Sequence, residues 1–212
     1  MIEKTYNALI LPTGETTFGD YSFPVSRVAA DLFKSGKFGC IFVTGGHGGF
    51  SKVKLGETVS EAEETNNFLR SRDISENQIY WDGQSLDTLG NFTFPIVEKL
   101  GRNPSFLDFK EMLVIGQKGH LWRIRDCVGK VISSDRLVDF YAVPGEHNNN
   151  LITKIYHQGL MNALREIKSP SPDDCHEFLL NNHPFYSSGW YDKSFLARKI
   201  EGSVKVLDWY LK

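Results

Sequence analysis

The sequence predicts an α/β protein with a doubly wound, mostly parallel five-stranded sheet and a C-terminal helical extension. Short apolar runs rich in β-branched residues alternate five times with amphipathic helical patterns over residues 1–167. Small polar and ionisable residues are concentrated directly after the strands, whereas fewer of them lie directly before the strands. A chain that alternates in this way connects its strands by right-handed crossovers, which make neighbouring strands parallel.

Each predicted element is bounded by a change of pattern. The strands are predicted at Tyr6–Leu11, Gly39–Val43, Gln78–Trp81, Glu111–Ile115 and Arg136–Val143. The helices are predicted at about Val25–Ser35, Ser60–Arg72, Asp87–Leu100, Gly119–Lys130 and Leu151–Ile167. Gly36 ends the first helix, and the pair Ser60 and Glu63 has the spacing of a capping box at the start of the second. Asp87 is a candidate N-cap for the third.

The last part of the chain, residues 168–212, departs from this alternation. The run Ser169-Pro170-Ser171-Pro172 breaks the pattern, and a short helix is predicted at Asp173–Leu180. An aromatic loop at Asn181–Asp192 leads into the helically spaced apolar residues of Lys193–Leu211. We interpret 168–212 as an extension packed on the domain formed by residues 1–167. A lid over the site, or a contact that forms a homodimer, is the alternative interpretation.

Composition excludes several classes of protein. The formal charge is −2 over 212 residues, which does not favour binding to nucleic acid or anionic lipid. The longest apolar runs are far too short to span a bilayer, and the N-terminus does not resemble a signal peptide. The three cysteines are widely spaced and odd in number, which argues against a disulfide framework. We therefore expect a cytoplasmic protein that is not bound to a membrane.

A glycine cluster follows the second predicted strand. The apolar run Cys40–Val43 leads directly into Thr44-Gly45-Gly46-His47-Gly48-Gly49. In open parallel sheets, ligands bind outside the carboxyl ends of the strands, where the strand order reverses. Glycines there allow backbone N–H groups to approach an anion closely. The sequence therefore predicts that the amides of Gly45 and Gly46 donate to a bound anion.

A histidine and an arginine follow the fourth strand at helical spacing. His120 and Arg123 share one helix face and lie at the positive end of the helix dipole. This combination is typical of a pocket for phosphate or carboxylate. Glu61 begins the second helix and is a candidate general base, while Arg27 is a candidate second contact for the anion.

Several familiar sites are absent from the sequence. It contains no P-loop, no G-x-S-x-G nucleophile elbow, and no G-x-G-x-x-G in the first strand–helix loop. A metal site at His47, His120 and His147 is a minority hypothesis, because no close histidine spacing supports it. No metal ligand is therefore predicted, although a metal-dependent hydrolase stays open as an alternative.

The ordered motifs resemble the YdcF/SanA/ElyC family of domains of unknown function. They are Arg27, Val43-Thr44-Gly45-Gly46, Ser60-Glu61-Ala62, Ser85-Leu86-Asp87-Thr88-Leu89-Gly90-Asn91 and His120-Leu121-Trp122-Arg123. The resemblance covers about residues 6 to 147 and implies a Rossmann-like fold whose cleft these residues line. It also implies S-adenosylmethionine as a candidate ligand or cofactor. Since no membrane anchor is evident, the chain is most similar to the soluble YdcF type.

These arguments define one candidate site and several candidate functions. The catalytic candidates are His120 and Glu61, and the ligand-binding candidates are Arg27, Thr44, Gly45, Gly46, Ser60, Ser85, Thr88, Asn91, Gly119 and Arg123. We expect Glu61, Asn91, His120 and Arg123 to line one pocket with Gly45 and Gly46. The predicted function is binding of a small anionic or nucleotide-like molecule at the strand ends. Acid–base chemistry on that molecule, as in a transferase or hydrolase, and a non-catalytic binding or sensing module are both compatible with these residues. In the binding module, Glu61 or Asp87 is expected to hold ribose hydroxyls.

Overall fold

Five parallel strands form a single sheet with helices on both faces. The computed structural model describes residues 4–13, 22–46, 59–97, 108–145, 151–165, 167, 171–186, 201, 204, 205 and 208. Within them the strand order is β3-β2-β1-β4-β5, and every neighbouring pair is parallel. The predicted α/β, doubly wound and Rossmann-like architecture is therefore confirmed. None of the helices in these ranges has the length and apolar character needed to cross a membrane.

The elements lie close to their predicted positions. The strands are β1 (Tyr6–Pro12), β2 (Phe38–Thr44), β3 (Ile79–Asp82), β4 (Glu111–Gln117) and β5 (Leu137–Val143). The helices are α1 (Ser22–Lys34), α2 (Glu61–Ser71), α3 (Gly90–Val97), α4 (Lys118–Val131), α5 (Leu151–Arg165) and α6 (Pro172–Asn182). Short 3-10 turns lie at Glu76–Gln78 and Pro184–Tyr186.

The first four strands extend one or two residues beyond their predicted carboxyl ends. The predicted strands stop where the apolar run stops, but the backbone ladder continues through polar residues. Thr44 still pairs with Pro12 and with Asp82, and Gln117 pairs with Val143. The polar residues at the carboxyl ends of these strands therefore belong to the regular sheet, and strand pairing fixes the position of their backbones.

Side chains alternate between the two faces of the sheet and build two cores. Leu9 and Leu11 of β1 pack with α1 and α2 on one face, while Ala8 and Ile10 pack with α3, α4, α5 and α6 on the other. Helices α1 and α4 thus lie on opposite faces of the sheet, on either side of the neighbouring strands β1 and β4. Because the strand order reverses between these two strands, this is the position where doubly wound proteins open a crevice.

Helix α6, from the C-terminal extension, packs against α3 and α4. Ser171 and Asp174 form a capping box at its start, in which each side chain bonds the other residue's amide. Its buried residues Cys175 and Leu179 belong to the same core as Ala8 and Ile10 of β1. Of the predicted helix Lys193–Leu211, the described residues are Glu201, Val204, Lys205 and Asp208, and each of them is helical. The other residues of that predicted helix lie outside the described residues.

Candidate functional site

The carboxyl ends of β1 and β2 are joined by hydrogen bonds to one backbone oxygen. The amide and the hydroxyl of Thr13 both donate to the Thr44 carbonyl, at 2.6 and 2.9 Å. Both residues are buried, with exposed fractions of 4% and 1%. The Thr44 hydroxyl oxygen, by contrast, makes no hydrogen bond within the described residues. The backbone of Thr44 is thus used by the fold, while its side chain keeps a buried polar group for another partner.

The two glycines that follow Thr44 are hydrogen-bonded to the end of β3 and to the loop that follows it. The Gly45 amide donates to the Asp82 carbonyl at 2.9 Å, and the Gly46 amide donates to the Ser85 carbonyl at 2.6 Å. The expectation that these amides donate to an anion is therefore wrong, because β3 lies beside β2 and its last residue and the following loop supply the two acceptors. His47, the next residue in the cluster, lies outside the described residues.

Close backbone approach explains why glycine occupies both positions. Gly45 has a φ of 143°, and a Cβ there would overlap the Thr13 hydroxyl. A Cβ at Gly46 would lie 2.5 Å from the Gly83 carbonyl oxygen. The glycine pair lets three strand ends pack against one another.

Ser85 and Asn91 belong to a buried hydrogen-bond network that crosses the same strand ends. The Ser85 hydroxyl lies 2.7 Å from Asp82 Oδ2 and 2.8 Å from Asn91 Oδ1, so its single hydrogen serves one of these oxygens at a time. The Asn91 side-chain amide donates to the Thr13 carbonyl at 2.7 Å. Although both residues are candidate ligand contacts, the described contacts of their side chains tie the β3 loop to β1.

Asp82 organises this network, although it was not among the predicted ligand contacts. Its Oδ1 accepts from the Gln84 amide at 2.9 Å, and its Oδ2 accepts from the Ser85 amide at 3.3 Å. An aspartate that accepts from amides two and three residues later is a common turn device. The spacing Asp82-Gly83-Gln84-Ser85 was the signal that could have identified it.

Helix α4 begins directly at the end of β4 and carries His120 in its first turn. The His120 ring is 1% exposed, and its Nε2 lies 3.2 Å from the Thr88 hydroxyl. Thr88 is partly exposed and lies just before α3, so this contact joins the segments that follow β3 and β4. The Gly119 amide donates to the Gly145 carbonyl at 3.1 Å and is thereby used by the fold, as the amides of Gly45 and Gly46 are.

Two further candidates, Ser60 and Glu61, lie at the start of α2. Ser60 caps α2 by accepting from the Glu63 amide at 3.1 Å. Glu61, the first residue of α2, is 1% exposed, and the adjacent Ala62 amide donates to the Gly45 carbonyl at 2.9 Å. Glu61 therefore begins a helix whose first turn is hydrogen-bonded to Gly45.

Arg27 does not open the first helix as predicted. Helix α1 begins at Ser22, because Pro24 is tolerated in a first helical turn. Arg27 consequently lies in the second turn, where it is exposed beside the buried residues Val25 and Ser26. Arg123, by comparison, is partly buried on α4.

Three residues from the C-terminal half, Tyr156, His183 and Tyr186, lie near the segment before α3 and were not predicted to do so. The Tyr186 hydroxyl accepts from the Leu86 amide at 2.9 Å, and the Tyr156 hydroxyl is hydrogen-bonded to His183 Nε2. His183 Nε2 also lies 3.7 Å from Asp87 Oδ2. The only signal in the sequence was the aromatic cluster of Asn181–Asp192, which does not specify what it contacts.

Burial determines the protonation states of Tyr156, His183 and Tyr186. Desolvation lowers the pKa of His183 to about 4, although the charge of Asp87 acts in the opposite direction. Desolvation also raises the pKa of Tyr156 and of Tyr186 well above the usual value, and Asp87 adds to both effects. Arg123 lowers the pKa of Tyr156, so opposite charges act on that phenol from α4 and from the segment before α3. The histidine is neutral and both phenols are protonated at neutral pH.

Within the ranges that the structure describes, no three His, Cys, Asp or Glu side chains converge to hold a metal ion. His47 and His147, two members of the minority metal hypothesis, lie outside those ranges. No protein-family model matches the sequence. The comparison with curated proteins likewise finds no match.

Proposed function

We propose that this chain binds a small anionic or nucleotide-like ligand outside the carboxyl ends of β1 and β4. The observation that carries the proposal is the reversal of strand order between these two strands, beside which His120 lies against Thr88. In doubly wound sheets the crevice at such a reversal is the usual ligand site. The proposal includes membership of the YdcF-like group that the sequence motifs resemble.

The start of α4 supports an anionic ligand. The helix follows β4 without a loop, and the side chain of its N-cap residue, Gln117, makes no capping hydrogen bond. The positive end of the helix dipole therefore faces the crevice without a capping side chain. Arg123 lies one turn further along and supplies a cation, which is the complement that a phosphate or carboxylate requires.

The Thr44 hydroxyl supports a polar ligand on the other side of the crevice. It is fully buried at the end of β2 and makes no hydrogen bond within the described residues. Buried polar groups in native proteins almost always have a partner. A ligand that reaches the end of β2 would supply one.

His120 is the residue through which binding would become catalysis. Its ring lies between the α4 terminus and Thr88, where an imidazole can donate or accept a proton. Glu61 is the second candidate for proton transfer. Loss of turnover in His120→Ala with ligand affinity retained would identify an enzyme; affinity without any turnover in the parent chain would identify a binding or sensing module.

The test is calorimetric titration of the purified chain with inorganic phosphate, adenosine 5′-monophosphate and S-adenosylmethionine. We expect at least one of these probes to bind, and Arg123→Gln to weaken its binding roughly tenfold or more, because a charge-assisted contact is lost. Arg125→Gln is the matched control, since Arg125 is exposed on the same helix and lies over the Phe140 ring. Failure of all three probes to bind, or equal losses in the two variants, would overturn the proposal.

A further inference from the structure

The carboxylate of Asp87 is buried, yet only one of its oxygens is bonded by the described part of the chain. The side chain is 4% exposed. Its Oδ1 accepts from the Gly90 amide at 2.8 Å and so caps the start of α3. Its Oδ2 makes no hydrogen bond within the described residues. Helix capping explains Oδ1 but leaves Oδ2 as a buried acceptor, which is costly unless a donor reaches it.

The nearby histidine does not supply that donor. His183 Nε2 is 3.7 Å from Asp87 Oδ2, which is too long for a hydrogen bond. His183 Nδ1 accepts from the Phe185 amide at 3.3 Å, so the single proton of the neutral ring is on Nε2. That proton points to the Tyr156 hydroxyl, to which Nε2 is hydrogen-bonded. His183 is therefore a neutral neighbour of Asp87, and its proton is already used.

Asp87 also lies beside the groups of the proposed ligand site. The next residue, Thr88, contacts His120. Asp87 itself lies three residues before Gly90, the first residue of α3. Asp87 and Arg123 both act electrostatically on the partly exposed Tyr156, in opposite directions. An acceptor and a cation are therefore both close enough to influence one phenol. A ligand that fits them carries an anionic group and a hydrogen-bond donor.

We propose that Asp87 Oδ2 accepts a hydrogen bond from a hydroxyl group of the bound ligand, so that the ligand is a phosphorylated sugar or a nucleotide. This inference rests on the proposed function and narrows its ligand class. Carboxylates hold ribose hydroxyls in other doubly wound proteins through the same chemistry. The anionic end of the ligand then lies toward Arg123 and the α4 terminus, and its hydroxyl end toward α3.

Asparagine at position 87 separates this role from helix capping. Asp87→Asn retains an oxygen that accepts from the Gly90 amide, but it replaces Oδ2 with an NH₂ group that cannot accept. The matched control is Asp174→Asn, because Asp174 is the exposed capping aspartate of α6 and lies on another helix. Asp87→Ser keeps a capping oxygen on a shorter side chain, and it is the second variant if Asp87→Asn does not fold.

The experiment compares adenosine 5′-monophosphate with its 2′,3′-dideoxy analogue by calorimetry. We expect the parent chain and Asp174→Asn to prefer the hydroxyl-bearing compound by about tenfold, the value of one good hydrogen bond. Asp87→Asn should bind both compounds equally, at the weaker affinity.

Three other results would overturn the inference in distinguishable ways. If Asp87→Asn keeps the parent preference, Asp87 is only a helix cap, and the proposed function stands. If the parent chain binds inorganic phosphate but neither nucleotide, the ligand class is wrong while the anion site survives. If none of the probes binds, the proposed function fails together with this inference.

Discussion

Two parts of the sheet's carboxyl rim use polar residues in opposite ways. The β1–β3 rim consists of Thr13, Thr44, Gly45, Gly46, Asp82, Ser85 and Asn91, and almost all of its described polar groups bond one another, although the Thr44 hydroxyl does not. The α4 side consists of Asp87, Thr88, His120, Arg123, Tyr156 and His183, where a buried carboxylate oxygen has no hydrogen bond within the described residues. A polar residue at a strand end is therefore not by itself a sign of ligand binding. What distinguishes the two parts is whether the fold already uses the donors and acceptors.

This comparison makes separate predictions for stability and for binding. Substitutions in the β1–β3 rim should lower the free energy of unfolding, because they break packing and hydrogen bonds of the folded chain. Arg123→Gln and Asp87→Asn, which retains the capping oxygen of α3, should chiefly alter ligand affinity, as the two calorimetric experiments above test. Three further experiments examine the comparison, in order of decreasing expected effect.

The largest effect is expected for Gly45→Ala. The backbone there has a φ of 143°, and a Cβ would overlap the Thr13 hydroxyl, so the variant should lose about 4 kcal/mol or more of unfolding free energy. Urea denaturation measures it. Gly129→Ala is the matched control: a Cβ at this helical position would meet nothing within 4 Å, and we expect a gain of about 0.5–1 kcal/mol. A small loss in Gly45→Ala would break the packing argument for this rim.

A smaller loss is expected for Asn91→Ala. The change leaves the Thr13 carbonyl without its donor and removes one oxygen near the Ser85 hydroxyl, in a fully buried setting. We expect a loss of about 3 kcal/mol of unfolding free energy, measured in urea. Asn162→Ala is the control, since the Asn162 side chain bonds the exposed Gln158 on the same helix, and its loss should stay within about 0.5 kcal/mol. If the two variants lost equal stability, the network would have no structural role.

The third prediction concerns pH and the α4 side. The pKa of His183 is about 4 in the folded chain and near 6.5 in the unfolded chain, so the unfolded state binds more protons between these values. Stability should consequently fall as the pH drops through 6.5 and level off below about 4. Between pH 7 and pH 5, His183 should contribute a loss of roughly 2 kcal/mol.

Urea denaturation of the parent chain and of His183→Gln at both pH values isolates this contribution. The parent chain should lose more stability than the variant by that amount. His157 is the internal comparison, because burial lowers its pKa as well and that residue is present in both chains. Equal pH dependence in the parent chain and in His183→Gln would show that the pKa of His183 in the folded chain is close to its unfolded value, which would contradict the lowering by burial.

Prediction from sequence succeeded where the signal was local. The alternation of β-branched runs with helical spacing identified all five strands, since side-chain periodicity depends on the immediate neighbours of a residue. It failed for the role of the Gly45 and Gly46 amides, because their acceptors lie at the end of β3 and in the loop after it, almost forty residues further along the chain. The first helix was predicted to begin at about Val25, after a loop that ended at Pro24, and this placed Arg27 at the start of the helix. In the structure α1 begins about one turn earlier, at Ser22. The candidate functions of His120, Glu61 and Arg123 stay predictions.

The sequence by itself determined the sheet, its flanking helices and the rim at which polar residues collect. Only the tertiary structure decided which of those polar groups remain for a ligand. His183 and Tyr186 reach the segment before α3 from about a hundred residues away, and Asn91 reaches the end of β1 across the sheet. The physical reason is that periodicity is a property of neighbouring residues, whereas the satisfaction of a buried donor or acceptor depends on every chain segment packed around it.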